Sequence, residues 1–246
     1  MKMLKIKPIY SINFDKVARS PKKIIYLIYH YTGMKSENEA IERLRKKKSK
    51  VSCHYFIRKN GTIINMVPDR FIAWHAGISC WKKHLNLNDK SIGIEIQNAG
   101  HSNVYSRFSK KQIKSTLYLT KILKKKYNIK VKNILGHSDV APFRKKDPGE
   151  KFPWKHFAKH KIGIWHDLPK KNLKLRSVKV SNNDAKLFYL YLKKIGYCFN
   201  KKQLNNSKFI IKAFQRRYRS KIIDGKIDKE CLEIAKNLIK RSFAGL

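Results

Sequence analysis

The run KKIIYLIYH is apolar, β-branched and aromatic almost without a break, and it predicts a buried strand ending at His30. Residues 36–48, SENEAIERLRKKK, follow as an amphipathic helix with acids in the first turn and cations in the last, as the helix dipole favours. The segment CHYFIRKNGTIINMV reads as two strands turning at Asn60-Gly61, a strong hairpin signal. In KSIGIEIQNAG, Ile92, Ile94 and Ile96 alternate with Gly93, Glu95 and Gln97, which predicts a strand with two unlike faces. Residues 109–127 predict a long helix with Ser109 as its N-cap, and KVKNILGH predicts one more strand. Strands alternating with helices imply an α/β fold with a mixed central β-sheet flanked by helices.

After about residue 165 the pattern changes. HDLPKKNLKLRSVKVSNN is polar, Lys-rich and aperiodic, as a linker is. Beyond it lie helical stretches at roughly 182–196, 206–219 and 228–242, with a turn at Asp224-Gly225 before the last. In the middle one, Phe209, Ile210, Ala213, Phe214 and Tyr218 recur at helical spacing. The expected organisation is an α/β domain over 1–165, a linker over 166–180 and a small three-helix domain over 181–246. No internal repeat is visible.

Composition sharpens the choice of partners. The 246 residues hold 58 Lys+Arg against 16 Asp+Glu, a formal charge of +42 that favours polyanionic surroundings. The cations are mostly Lys and are dispersed through every segment, whereas a reader of bases favours bidentate Arg interleaved with aromatics on one face, so no nucleic-acid partner is expected. No apolar run approaches the roughly 18 residues of a membrane span. The opening MKMLKIKPIYSINFDKVARS lacks a continuous apolar core, so no secretory signal peptide is visible. Cys53, Cys80, Cys198 and Cys231 form no CxxC pair, and free thiols are expected, with a bridge left open.

The least scaffold-like stretch is GHSDVAPFRKKDPGEKFPW, Gly136 to Trp154. With His30, its His137 and Asp147 make two imidazoles and one carboxylate, a set suited to zinc with a fourth position open. Both histidines fall at the ends of predicted strands, where α/β sheets gather functional groups, although a strand-end histidine also serves in packing. Glu95 faces away from its isoleucines; on a central strand it would lose solvent and gain the raised pKa of a general base, and on an edge strand it would face water. Lys145 is either a cation for a developing oxyanion or one more surface lysine.

In order along the chain, YLIYHYTG, VSCHYFIRKNGTI, AWHAG, SIGIEIQN and the 136–154 stretch resemble the zinc-dependent N-acetylmuramoyl-L-alanine amidases of the AmpD and AmiD group, relatives of a phage lysozyme and of peptidoglycan recognition proteins. The resemblance spans most of residues 24–157. It implies one zinc per chain on His30, His137 and Asp147, with Glu95 acting on the attacking water and Lys145 stabilising the tetrahedral intermediate. It also implies that Trp74 and His75 line the substrate groove and that Lys50 and Arg144 meet stem-peptide carboxylates. Lys50 replaces the Arg of some relatives, and Cys53 stands where phage relatives carry a catalytic tyrosine. IIKAFQRRYRSKIIDGKIDKECLEIAKNLI is similar to a three-helix peptidoglycan-binding domain, with Cys231 where Thr is usual. The implied partners are peptidoglycan and muropeptides, met by a monomer in the cell envelope or periplasm, with a cytoplasmic site as the alternative. A catalytically silent recognition module on the same fold is the alternative function.

Overall fold

The computed structural model of the chain describes residues 4–243. The first half runs β1 (Ile6–Pro8), β2 (Phe14–Asp15), β3 (Tyr26–Tyr31), α1 (Glu37–Arg45), β4 (Tyr55–Ile57), β5 (Ile63–Asn65), β6 (Ile72–Ala73), β7 (Cys80–Trp81), β8 (His84–Leu85) and β9 (Ser91–Ile96). It continues with α2 (Lys110–Lys126), β10 (Ile134–Gly136), α3 (His137–Val140), α4 (Trp154–Lys159), α5 (Asn182–Ile195), α6 (Lys201–Leu204), α7 (Lys208–Tyr218) and α8 (Lys229–Phe243). Ser36 caps α1 by accepting from the Glu39 amide, and Ser109 with Gln112 forms a capping box on α2.

Six strands pair in the order β1-β5-β4-β9-β3-β10. Neighbours are parallel except β4 and β5, which turn back on each other at Asn60-Gly61, so the sheet is mixed as expected. On one face Leu27, Tyr29, Ile92, Ile94 and Ile96 meet Leu119 and Leu123 of α2. The opposite face is covered in two places. Phe56 and Ile64 pack under Ala40, Ile41 and Leu44 of α1, while Tyr26, Ile28 and Leu135 pack under Phe188, Leu192, Ile210 and Phe214 of the C-terminal helices. Fully burying each such side chain contributes about 1.5–3 kcal/mol, so these clusters set which faces close. Between the two covers, at the ends of β3 and β9, the sheet stays open to a pocket.

Three findings depart from the sequence reading. The four-residue α6, capped by Asn200 and Gln203, is too short to leave a periodic signal. The segment expected to be a linker folds onto the start of α8: Arg176 makes two 2.6 Å bonds to Glu230, and the Ser177 amide donates to Asp228 at 3.0 Å. Cys80 and Cys198, 118 residues apart, are joined in a disulfide, whereas Cys53 and Cys231 are free and buried. Linear spacing carries no trace of this bridge, because its sulfurs meet only where β7 packs on the turn after α5.

The C-terminal helices are also fastened by charge. Arg217 of α7, buried, ion-pairs with Asp139 of α3, donates to the Ile134 carbonyl at 3.0 Å and lies 4.2 Å over the Trp154 ring. Asp139 in turn accepts from Tyr197 at 2.9 Å and from the Gly136 amide at 2.7 Å. Removing one partner of a buried ion pair leaves a charge without compensation, typically at a cost of about 3–5 kcal/mol. Arg217→Ala should therefore lower the unfolding free energy by that order in urea titration, and a loss under about 1 kcal/mol would show that Asp139 finds another partner.

Candidate active site

Alternation along three adjacent parallel strands brings the expected chemistry to one spot. His30 is the penultimate residue of β3, inside the strand rather than just past it, and Glu95 of β9 is its register partner. His137 begins α3 directly after β10, which is hydrogen-bonded to β3. Asp147 sits in the following loop, whose carbonyl accepts from the Ser138 amide at 2.8 Å. His30, Glu95 and His137 lie at the carboxyl ends of their strands, the edge where open α/β sheets bind ligands.

Three ligand atoms converge. His30 Nδ1 lies 2.9 Å from His137 Nδ1 and 3.1 Å from Asp147 Oδ2, and His137 Nδ1 is 2.9 Å from the same oxygen. The surrounding hydrogen bonds fix where the ring protons are. The Ser91 hydroxyl donates to the Leu87 carbonyl at 2.6 Å, so towards His75 Nε2, 3.1 Å away, it accepts. His75 Nδ1 is then an acceptor and takes the Nε2 proton of His30 at 3.0 Å. His137 Nε2 donates to the Ala76 carbonyl at 3.0 Å. Both Nδ1 atoms are left with lone pairs directed at each other and at a carboxylate. Three acceptors with no proton between them repel, and a cation relieves that; an N,N,O donor set suits a transition metal.

The electrostatics of His30 agree with this assignment. Burial and the neighbouring His137 lower the His30 pKa to about 4, which keeps the ring neutral. Burial works against ionising Asp147; proton-bearing imidazoles at His137 and His30 would hold its carboxyl well below the usual range, and with both Nδ1 lone pairs turned towards it that part would fall to a bound cation. Glu95 moves the other way: burial, then the charge of Asp147, raises its pKa to about 8, with Lys145 opposing. Its Oε2 is buried and unpartnered among the described residues, on the wall of the pocket that the metal set and Lys145 also line. A carboxyl able to hold or release a proton near neutral pH therefore borders the three ligands.

The remaining expected residues separate. Trp74 lines the pocket, held by its indole N–H donating to Asp15 at 2.7 Å. His75 lines it too, but is buried and works as the positioning partner of His30. Room for its ring comes from Gly93, where an added Cβ would stand 2.4 Å from His75 Cγ. Arg144 reaches the pocket while donating to the carbonyls of Ala76 and Ile78 at 2.7 and 2.8 Å. Lys50 is exposed in a left-handed conformation, and its neighbours Val51 and Ser52 line the pocket in its place. Cys53 is fully buried against Met66, its thiol pushed up by burial and by Glu95. Arg43 and His101 also line the pocket and went unnoticed in the sequence. Arg43 was hidden in a charged helix face, and His101, bonded to Tyr31 and Glu150 at 2.8 and 3.0 Å, follows β9 with no pattern of its own.

A strand-end group that could hold a metal, beside a carboxyl and a cation, fits a hydrolase-type centre. The family model described as N-acetylmuramoyl-L-alanine amidase matches residues 20–150, and the chain belongs to that family. It is 35% identical over 234 residues to the N-acetylmuramoyl-L-alanine amidase AmiD of Escherichia coli, covering 89% of this chain and 83% of that one. The solved complex of AmiD from Escherichia coli with anhydro-N-acetylmuramic acid-L-Ala-D-gamma-Glu-L-Lys superposes with a TM-score of 0.80 at 32% identity, over 94% of this chain and 93% of that one. AMPDH3 from Pseudomonas aeruginosa in complex with anhydromuramic pentapeptide gives a TM-score of 0.80 at 28% identity, over 95% and 98%. The 1,6-anhydro-N-acetylmuramyl-L-alanine amidase AmpD of Escherichia coli is 38% identical over 108 residues, 44% of this chain and 57% of that one.

Two outcomes follow from this geometry. His75→Ala frees the His30 ring to turn, and Gly93→Ala pushes His75 aside, so each should weaken metal binding by about 10–100-fold in competition with a chelator. A protein whose affinity is unchanged by both would remove His75 from the positioning role. For Glu95, the folded pKa of about 8 lies above the ordinary carboxyl value of 4.5, so the folded state holds the extra proton between those values. Stability is therefore full below the lower pKa and is lost as pH rises through the upper one. In metal-free protein the advantage of Glu95→Gln over the parent in urea unfolding should grow from pH 5 to pH 9; a constant difference would contradict the assignment.

Proposed function

We propose that the chain is a zinc-dependent amidase that cleaves the bond between the lactyl group of N-acetylmuramic acid and the L-alanine of peptidoglycan or muropeptides. The observation that carries this reading is the convergence of His30 Nδ1, His137 Nδ1 and Asp147 Oδ2 beside the unpartnered Glu95 carboxyl. Two imidazoles and one carboxylate are a zinc donor set, and zinc there supplies a Lewis acid for the amide carbonyl and the attacking water. Glu95, poised near neutral pH, takes the proton from that water and returns one to the departing alanine amine. Lys145 lines the same pocket and opposes the rise at Glu95, a cation suited to steady the oxyanion that develops on the carbonyl oxygen. Arg144, Arg43 and Trp74 line the pocket as candidate substrate contacts.

The relatives' bound anhydromuropeptides support the substrate class. The C-terminal unit over 181–246, by its resemblance to peptidoglycan-binding helices, would hold the wall polymer near the pocket. The charge of +42 favours such a carboxylate-bearing polymer, and the site of action would be the cell envelope.

Purified protein should carry about one zinc per chain and release free stem peptides from muropeptides, as read by mass spectrometry. Glu95→Gln should slow release by about 10²–10⁴-fold with zinc retained. Asp147→Ala should abolish both metal binding and release while circular dichroism remains that of the folded parent. Full activity of Asp147→Ala, or of exhaustively chelated protein, would overturn the mechanism.

A further inference from the structure

A second groove, of about 790 Å³ against about 400 Å³ for the pocket at the metal set, begins on the other side of Arg144. The two share that side chain, and Arg144 Nη2 is 3.5 Å from His137 Nε2, so the groove starts one residue from a metal ligand. One wall is the β7–β8 hairpin with its flanks, the floor is the 140–143 turn, and the other wall is the end of α5 and the start of α6. Its volume lies in the range of sites that take small organic ligands.

The walls are held apart without a ligand. The Cys80–Cys198 disulfide joins them, the Lys82 amide donates to the Gly196 carbonyl at 2.7 Å, and Trp81 packs on Tyr197 at 5.0 Å. Gly196 permits this approach, since an added Cβ would lie 2.4 Å from the Trp81 ring. Ile78 and Leu85 stand 84% and 67% exposed at the rim, so apolar contact remains available. Lys82, Arg144 and Lys193 supply cations and Asn200 and Gln203 supply amides, while among the described residues no Asp or Glu lines the groove.

Resting on the amidase reading, we propose that this groove is a second peptide subsite. It holds the stem peptide cross-linked to the one being cleaved, so that cross-linked peptidoglycan is preferred over single muropeptides. Extended peptides bearing carboxylates, amide groups and small apolar side chains match cations, amides and an apolar rim. A glycan strand gains a lactyl carboxylate only where a stem has already been removed, so before cleavage it offers the three cations little charge. The C-terminal helices then take part by forming half of a subsite continuous with the reaction centre.

The experiment compares kcat/KM of the zinc-loaded full chain on a monomeric disaccharide-peptide, its cross-linked dimer and a longer glycan without cross-links. The dimer should be favoured over the monomer through a lower KM, and Lys193→Glu should cut that preference about three- to tenfold. Lys194→Glu, an equal charge change on the same helix outside the groove, should leave the preference intact. Calorimetry with the cross-linked peptide lacking its glycan provides an arm free of catalysis, in which Lys193→Glu should weaken binding and Lys194→Glu should not. Equal kcat/KM for monomer and dimer, or peptide binding that ignores Lys193, would overturn the subsite. A gain for the longer glycan alone would overturn its peptide occupant. Absence of hydrolysis on every substrate would sink the amidase reading and leave the calorimetric arm to judge the groove.

Discussion

Two imidazole lone pairs facing each other across 2.9 Å, with a carboxylate oxygen beside both, are the constraint around which the reactive end of the molecule is built. Left alone, such a group would turn a ring or capture a proton. Neither is easy here, because each distal ring nitrogen is committed to a donor bond and the rings are buried. The chain Ser91, His75, His30 propagates one proton choice from a backbone carbonyl to the ligand atom. The Ala76 carbonyl does the same for His137 in one step. Preorganisation of this kind spares a bound cation the work of arranging its own ligands.

The two covers on the sheet face explain why the site is open at all. α1 closes one side over β4 and β5, and the C-terminal helices close the other over β3 and β10, leaving the ends of β3 and β9 uncovered. Asp139 connects this arrangement to the chemistry. Two residues after His137, it binds the Gly136 amide on its own turn and Arg217 and Tyr197 of the C-terminal helices. Movement of those helices would therefore be felt by the turn that presents a ligand. The disulfide adds a second fixed point on the far side of Arg144.

Glu95 and Asp147 show how one pocket keeps two carboxyls in different states. Both are removed from water, which by itself favours the protonated form. Asp147 lies where His137 and His30 converge, so a cation held there would keep it ionised, whereas the Oε2 of Glu95 has no partner among the described residues and the charge of Asp147 adds to the effect of burial. Opposite shifts in neighbouring acids suit one to hold a cation and the other to carry a proton.

Much of this was legible in the residues. The strand over KKIIYLIYH, the alternation that faces Glu95 away from its isoleucines, the Asn60-Gly61 turn and the capped helix after Ser109 are local properties of pattern and turn chemistry. Motif order alone marks His30, His137, Asp147, Glu95 and Lys145. Sequence could not decide what depends on distant segments meeting. The Cys80–Cys198 bridge, the adhesion of residues 176–179 to the start of α8, the place of Arg43 in the pocket and the exclusion of Lys50 from its walls each arise from packing between elements far apart in the chain. The same holds for His75, a groove residue by its motif and a proton-fixing partner by its position over Gly93. Local dihedral and hydrophobic preferences act within a few residues, so they specify the elements. Contacts between elements are settled only when the faces close, and there the donor atoms acquire their partners.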